Sequence, residues 1–279
     1  MFAYALALAA VIFGTWNGKW FPSGRAEHRA SAAVEARAIA GAGRFLRAGI
    51  ARLDPQGTND IILCINEIRD EETAAALCQA IGRTNLNVAI ITRYRRRDRY
   101  DQQQDAILTT LPVAESHWFT WKRPTRNLYP PRGAACAALI LNPATTAAVY
   151  SVHLKSNYGA TSAAKKEANR IKRTQAIDQL LADSALRDKP VVLIAGDFNA
   201  DKWRDEFKSE TIFTAFKQNG FIDVLEQLPV EERVTYPNVW NGDSTLDYLM
   251  IRGMKAEGPT LTLSSEGISD HHAVLTLIR

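Results

Sequence analysis

Eight polar side chains stand where short apolar runs end: Asn17, Glu67, His153, Asp197, Asn199, Asp247, Asp270 and His271. Asn17 closes Val11–Trp16, Glu67 follows Asp60–Ile65, and His153 closes Val149–Val152. Asp197 and Asn199 follow Val191–Ala195, Asp247 opens Leu249–Ile251, and Asp270-His271 precedes Ala273–Ile278. Carboxylate and amide oxygens are the ligands of hard divalent cations. Histidine beside carboxylate moves protons near neutral pH. Together these groups could hydrolyse a bond that needs charge neutralisation and an activated water. If the strand ends share one sheet edge, the side chains converge into one site.

Taken singly, none of them argues for an enzyme. A strand-end Asp or Asn is ordinarily a turn residue, and a His on an apolar strand is ordinarily a satisfied structural histidine. Glu67 beside Arg69 could be a surface pair of little energetic value. The ordered set says more. Thr15-Trp16-Asn17, Asn66-Glu67-Ile68, His153-Leu154-Lys155-Ser156, Gly196-Asp197-Phe198-Asn199, Leu246-Asp247-Tyr248 and Ser269-Asp270-His271 occur in that sequence. In this order they resemble the endonuclease/exonuclease/phosphatase superfamily, the fold of deoxyribonuclease I and the exonuclease III-like repair enzymes. The resemblance runs from Val11 to Ile278. His-Leu-Lys-Ser, Gly-Asp-Phe-Asn and Ser-Asp-His are its specific parts.

The resemblance implies an α/β fold, a four-layered sandwich of two packed, mostly antiparallel β-sheets flanked by helices. It implies a phosphoric ester hydrolase that uses magnesium, with manganese as a substitute. Glu67 is then the leading metal ligand, with Asn17 and Asp270 in or near the shell. Asp197 orients or deprotonates the attacking water, and Asn199 holds that water or a phosphate oxygen. His271, its tautomer fixed by Asp247, faces the phosphate, and His153 supplies a second donor. Three positions depart from the family pattern: Asn66 where many relatives carry Gln, Gly18-Lys19 after Asn17, and His272 after His271. None removes a catalytic group.

The elements that must position these residues are short strands and amphipathic helices. Val11–Asn17, Asp60–Ile65, Asn87–Thr92, Asp105–Thr110, Ser116–Trp121, Ala134–Leu141, Ala147–His153, Val191–Ala195, Thr245–Ile251 and Ala273–Ile278 read as strands. Ala26–Leu53 reads as a helix interrupted near Gly41 and Gly43. Further helices are expected from the acidic start Asp70–Glu72 through Ile81, over Ala163–Leu181 with Lys and Arg outward, and around Phe213–Asn219. No repeat or Gly/Ser/Pro-rich linker divides residues 11–279, which read as a single domain.

Substrate choice is less legible. Arg93, Arg95, Arg96, Arg97 and Arg99 form a basic loop, either a rail for a polyanion or a solvated loop paired with nearby acids. Lys122, Arg123, Arg126 and Arg132 interleave with Trp118, Trp121 and Tyr129, which could stack on bases or simply pack in a sheet. Lys155 and Arg132 are candidates for phosphate contact. The net charge of +4 decides little. The leading expectation is a nuclease or phosphodiesterase acting on nucleic acid. Alternatives are an enzyme of lipid head groups or small phosphate esters, and a catalytically silent binding module.

The three cysteines, Cys64, Cys78 and Cys136, sit among apolar neighbours and read as small buried hydrophobes. Residues 1–10 form an apolar lead without the basic start of a signal peptide, too short to span a bilayer. They fit either the remnant of an export signal, hence a periplasmic or extracellular protein, or a greasy lead-in to the first strand of a cytoplasmic one. Nothing in the sequence fixes oligomeric state.

Overall fold

A computed structural model describes residues 10–24, 30–96, 99–100, 103–125, 128–183, 188–240, 242–265 and 267–279. Nearly all of the apolar lead, together with Arg97, Gln102 and Arg126, lies outside the described residues. The strands are β1 (Val11–Phe21), β2 (Asp60–Ile68), β3 (Asn87–Ile91), a ribbon of β4 (Arg95–Arg96) and β5 (Arg99–Tyr100), β6 (Gln104–Thr109) and β7 (Val113–Thr120). They continue with β8 (Gly133–Asn142), β9 (Thr145–His153), β10 (Val191–Asp197), β11 (Ile222–Asp223), β12 (Asp247–Arg252), β13 (Ala256–Leu263) and β14 (Ala273–Ile278). The α-helices are α1 (Ala32–Leu53), α2 (Glu71–Ile81), α3 (Ala163–Leu181) and α4 (Ile212–Gln218).

Two six-stranded sheets form, in the orders β13-β14-β1-β2-β6-β3 and β11-β12-β10-β9-β8-β7. Each has one parallel pair at its centre, β1·β2 in the first and β9·β10 in the second; every other pairing is antiparallel. The four-layered sandwich expected from the resemblance is the architecture observed. Side-chain parity explains the layers. On β1, Val11 and Phe13 join the core between the sheets, whereas Ile12 and Trp16 join the core beneath α1 and α2. On β2, Ile62 and Cys64 face the second sheet while Ile61, Leu63 and Ile65 face the helices. On the far side, α3 and α4 cover the second sheet through Ala176, Ile177, Leu180, Ile212 and Phe216.

Several expectations need correcting. Helix α1 runs unbroken through Gly41 and Gly43. A Cβ on Gly43 would fall 2.5 Å from the Ala80 backbone, so this glycine serves close packing of α1 on α2, not a break. Helix α2 starts where the acidic run predicts, with Asp70 accepting from the Thr73 N–H at 2.8 Å. Helix α3 does not turn all its basic residues outward: Arg173 is buried and paired with the equally buried Glu210. Strand β1 continues past Asn17 to Phe21, and β13 has no counterpart in the sequence reading because Gly258-Pro259 interrupts its alternation. The cysteines are buried and free, with burial raising each thiol's pKa. Among the described residues no helix is long and apolar enough to cross a membrane.

Candidate active site

The second sheet lays out its part of the site by regular register. Asp197 on β10 pairs with His153 on β9 and with Asp247 on β12. In-register residues on adjacent strands point to the same face, so the three form a row across the sheet's end. His271, just before β14, closes the row: its Nδ1 lies 2.8 Å from Asp247 Oδ2, and its Nε2 lies 4.0 Å from Asp197 Oδ2. The Ser269 side chain explains this placement. Its hydroxyl donates to the Asn17 carbonyl at 2.7 Å and accepts the His271 N–H at 3.0 Å, pinning the Ser-Asp-His turn to β1.

The first sheet reaches the same point by two routes. Parity on β1 puts Asn17 on the face toward the second sheet, and its Nδ2 donates to Asp197 Oδ2 at 2.9 Å. Parity on β2 does the same for Asn66, which accepts the Asp197 backbone N–H at 2.9 Å. Glu67 would then point the other way, toward the helices. It does not, because it adopts φ +57 at a register shift between β2 and β6. This bulge re-aims the carboxylate into the groove. Trp20 donates its N–H to Glu67 Oε2 at 3.0 Å, while Oε1 lies 3.5 Å from Asn17 Nδ2 and 3.7 Å from His153 Nε2.

Backbone strain marks the same region. Among the described residues, the non-glycine positions with positive φ are Lys19, Trp20, Glu67, Asn85, Arg132 and Asn199; all but Asn85 line one groove of about 1680 Å³. Left-handed backbone at non-glycine residues costs free energy of order 1–3 kcal/mol each and collects where function requires it. The volume exceeds that of an ordinary small-ligand pocket. His153, Asp197, Asp270, His271 and Lys155 also line this groove.

Electrostatics separates the buried groups. Burial chiefly, then Asp247 and Glu67, push the Asp197 carboxyl up to about 7, against the pull of the His271 charge. Asp247, with Asp197 and Asp270 beyond it, outweighs burial at His271 and pushes its imidazole up to about 10, so it is cationic at neutral pH. Burial first, then Arg132, His271 and Lys155, push His153 well below its ordinary value. Neutral His153 sets its Nε2 3.5 Å from Asp197 Oδ2 while its buried Nδ1 has no partner among the described residues; this assigns the proton to Nε2.

Every site residue expected from the sequence is brought to this groove or directly behind it. Their environments refine the picture. The Asn199 N–H donates to Asp197 Oδ1 at 2.8 Å, so this residue steadies Asp197 as well as facing the groove. The Asp270 carboxylate forms an ion pair with Lys19 Nζ at 2.9 Å. Arg132 donates from Nε to the His153 carbonyl at 3.1 Å and from Nη2 to the Leu154 carbonyl at 3.0 Å, clamping the end of β9. Lys155 donates to the Ser156 carbonyl at 2.8 Å. Lys19, Trp20, Ser269 and the Asn66 contact to Asp197 were missed as contributors. So was Tyr236, whose ring centroid lies 4.9 Å from that of His271. They act through an ion pair, a backbone N–H from a bulge, side-chain hydrogen bonds to neighbouring backbone and ring packing, contacts that depend on partners distant in sequence. Of the aromatic and basic candidates, Trp121 belongs to the core and Arg93 pairs with Glu71 at 3.0 Å.

As a metal site the groove offers the carboxylates of Glu67 and Asp270. The Asn17 amide beside Glu67 turns its Nδ2 toward Glu67 and Asp197, and its Oδ1 accepts the Lys19 N–H at 3.0 Å. Among the described residues no three His, Cys, Asp or Glu side chains are grouped as a ready cage. One carboxylate with amide and carboxylate neighbours fits magnesium, which keeps much of its water and binds through one or two carboxylates.

The sequence matches the model of the Endonuclease/Exonuclease/phosphatase family over residues 14–271. The chain belongs to this family. By membership it is a hydrolase of phosphoester bonds. Solved structures share its fold at low identity. A humanized D. rerio TDP2 superposes with a TM-score of 0.61 at 16% identity, covering 97% of this chain and 99% of that one. An endonuclease/exonuclease/phosphatase from Beutenbergia cavernae gives 0.66 at 14%, covering 97% and 72%. D. rerio TDP2 complexed with a single-strand DNA product gives 0.59 at 15%, covering 97% and 99%. No curated protein sequence is significantly similar to the chain.

Proposed function

We propose that this family member is a divalent-metal-dependent phosphodiesterase of nucleic acid, its catalytic domain spanning residues 11–279. The observation that carries the reading is the Asp197 carboxylate, buried at the junction of the two sheets beside the His271–Asp247 ion pair. A magnesium ion held by Glu67, with Asn17 and Asp270 close by, would neutralise charge on the phosphoryl oxygens.

The residues of the chain divide the remaining work. Asp197, with a pKa near neutral, accepts the proton of the attacking water at Oδ2. Asn17 and the Asn199 N–H fix the two carboxylate oxygens, so the base cannot rotate away from its target. His271 presents a charged Nε2 to the phosphoryl oxygens, where negative charge grows in the transition state. Asp247 holds that charge and its orientation. His153, neutral, donates its Nε2 proton as a hydrogen bond and adds no competing charge. Lys155 and Arg132 line the wall on which a neighbouring phosphate would lie.

Nucleic acid is favoured because the groove exceeds a small-ligand pocket and has Arg95, Arg123, Arg132 and Lys155 among its lining residues. The structural neighbour bound to a single-strand DNA product points the same way. Supercoiled plasmid and single-stranded oligonucleotides, incubated with magnesium, manganese or chelator, test the reading. Cleavage that requires the ion supports it; inert nucleic acid alongside hydrolysis of a small chromogenic diester contradicts it.

One observation favours a second reading. Val239 and Trp240 are 93% and 90% exposed beside groove residues Asn238 and Gly242, and Tyr158 is 94% exposed on the groove itself. An exposed apolar rim suits a lipid surface. Release of phosphorylated head groups from phospholipid vesicles, with nucleic acid untouched, would favour it.

A further inference from the structure

The groove does not stand alone. Toward the edge formed by β3 and β7 lies a second hollow of about 510 Å³, lined by Arg93, Tyr94, Arg95, Trp118 and Thr120. Tyr94, Arg95 and Thr120 line both spaces, so the two adjoin.

The aromatic pair in this hollow is built unequally. Tyr94 is buried and fixed: its hydroxyl donates to Asp105 at 3.3 Å, and Gln104 accepts its N–H at 2.8 Å and donates to its carbonyl at 3.2 Å. Trp118 stands on β7, an edge strand exposed along nearly its whole length, and the indole is 36% exposed. The rings meet at 89° with centroids 5.9 Å apart. A fixed ring thus holds one side of the indole, and part of the indole faces the hollow, where guanidinium groups supply positive charge. Core packing does not account for Trp118, which belongs to neither core; on its strand the partly buried Phe119 packs against the core instead.

A planar π-face with arginines matches a nucleobase and its phosphate. A paired base is already stacked within its duplex and offers such a face only at an end. The hollow's lining includes none of Asp197, His153 or His271, so a compact phosphate ester seated over Asp197 gives it no role. The geometry points to a stacking subsite: Trp118 takes an unpaired base of a single-stranded nucleic acid, and Arg95 takes the adjoining phosphate, while another phosphate of the same strand lies over Asp197. This inference rests on the nucleic-acid reading and deepens it, making the substrate a single strand several nucleotides long.

The test is steady-state kinetics on single-stranded oligonucleotides from about 2 to about 12 nucleotides long, a span that brackets common single-strand site sizes. A small chromogenic phosphodiester is run beside them, and Trp118→Ala, Trp118→Phe and Arg95→Ala are compared with the unaltered protein. The unaltered protein's KM falls with length until the strand reaches the hollow. Trp118→Ala raises KM about tenfold on the long strands, within the range seen for lost stacking partners, without change on the short ones. Trp118→Phe restores most of the loss, and Arg95→Ala lowers the salt dependence of binding by about one ion. A long-strand KM unmoved by Trp118→Ala overturns the subsite. Parallel losses on the small diester also overturn it, by showing that Trp118 is structural. An unaltered protein that hydrolyses the small diester but no oligonucleotide defeats the nucleic-acid reading itself.

Discussion

The two sheets reach the same site by different means. The second sheet places His153, Asp197 and Asp247 by plain register, three strands in line with side chains on one face. The first sheet relies on departures from regularity: Glu67 enters the groove at φ +57, and Lys19 and Trp20 adopt φ +48 and +52 just past Asn17. In the proposed function the second sheet's row supplies the base Asp197 and its partners, and His271 joins it from the turn before β14 of the first sheet. The bulged end of β2 carries the candidate metal carboxylate. A row fixed by hydrogen-bond register is rigid and tolerates burial. A carboxylate meant to meet a hydrated ion has to stand proud of the sheet, and a bulge provides that reach.

The largest expected effect lies in the row. Asp197→Ala should lower kcat on a phosphodiester by about 10³-fold, within the usual span of general-base removal, with an unchanged fold by circular dichroism. Less than a tenfold loss would mean that Asp197 is not the base. Next, Asp247→Asn leaves His271 in place but removes the charge that holds it cationic. A fall in kcat of about 10²-fold is expected, together with a weaker response to substrate charge. If Asp247→Asn matched the parent enzyme, the pair would be structural.

Smaller effects probe the link between the halves. Asn66→Ala removes the acceptor of the Asp197 N–H. About a tenfold loss in kcat with little change in KM is expected, as for a group that positions the base; a change confined to KM would argue against this role. The smallest effect concerns Asp105, which accepts from Asn66 Nδ2 at 2.7 Å. Burial pushes its carboxyl up to about 7. A carboxyl raised in the folded state contributes stability that is complete below its unfolded value, near 4, and is lost as pH rises through about 7. Asp105→Asn should therefore raise the melting temperature by a few degrees at pH 8 relative to the parent, and leave pH 4 unchanged. The opposite pH trend would show that Asp105 is ionised and held by Arg132.

This contrast also explains what could be read from the sequence. Strands that alternate or run apolar without interruption, such as Val191–Ala195 and Ala273–Ile278, were legible, as were the polar residues that end them. The motifs Gly-Asp-Phe-Asn and Ser-Asp-His were legible through their resemblance to the family pattern, although Gly196 and Asn199 in the first have positive φ. Strand β13 was not, because Gly258-Pro259 breaks the pattern on an edge strand. The role of Gly43 was not, since close approach to Ala80 depends on a helix distant in sequence. The inward turn of Arg173 depends on Glu210, which no local pattern supplies. Lys19 and Trp20 were passed over because they contribute an ion pair and a backbone N–H from a bulge.

The central claim, that Asp197 in the second sheet's row serves the proton chemistry while Glu67 on the first sheet's bulge serves the metal, is tested most directly by titrating magnesium against hydrolysis of a small chromogenic phosphodiester in Asp197→Asn and Glu67→Gln. The account predicts that Glu67→Gln raises the magnesium concentration for half-activity by about tenfold or more, as expected when a hard cation loses its carboxylate. Part of its kcat returns at high magnesium. Asp197→Asn loses kcat at every concentration and keeps the half-activity point of the parent. A Glu67→Gln protein with the parent's magnesium dependence, or an Asp197→Asn protein rescued by added magnesium, would contradict it.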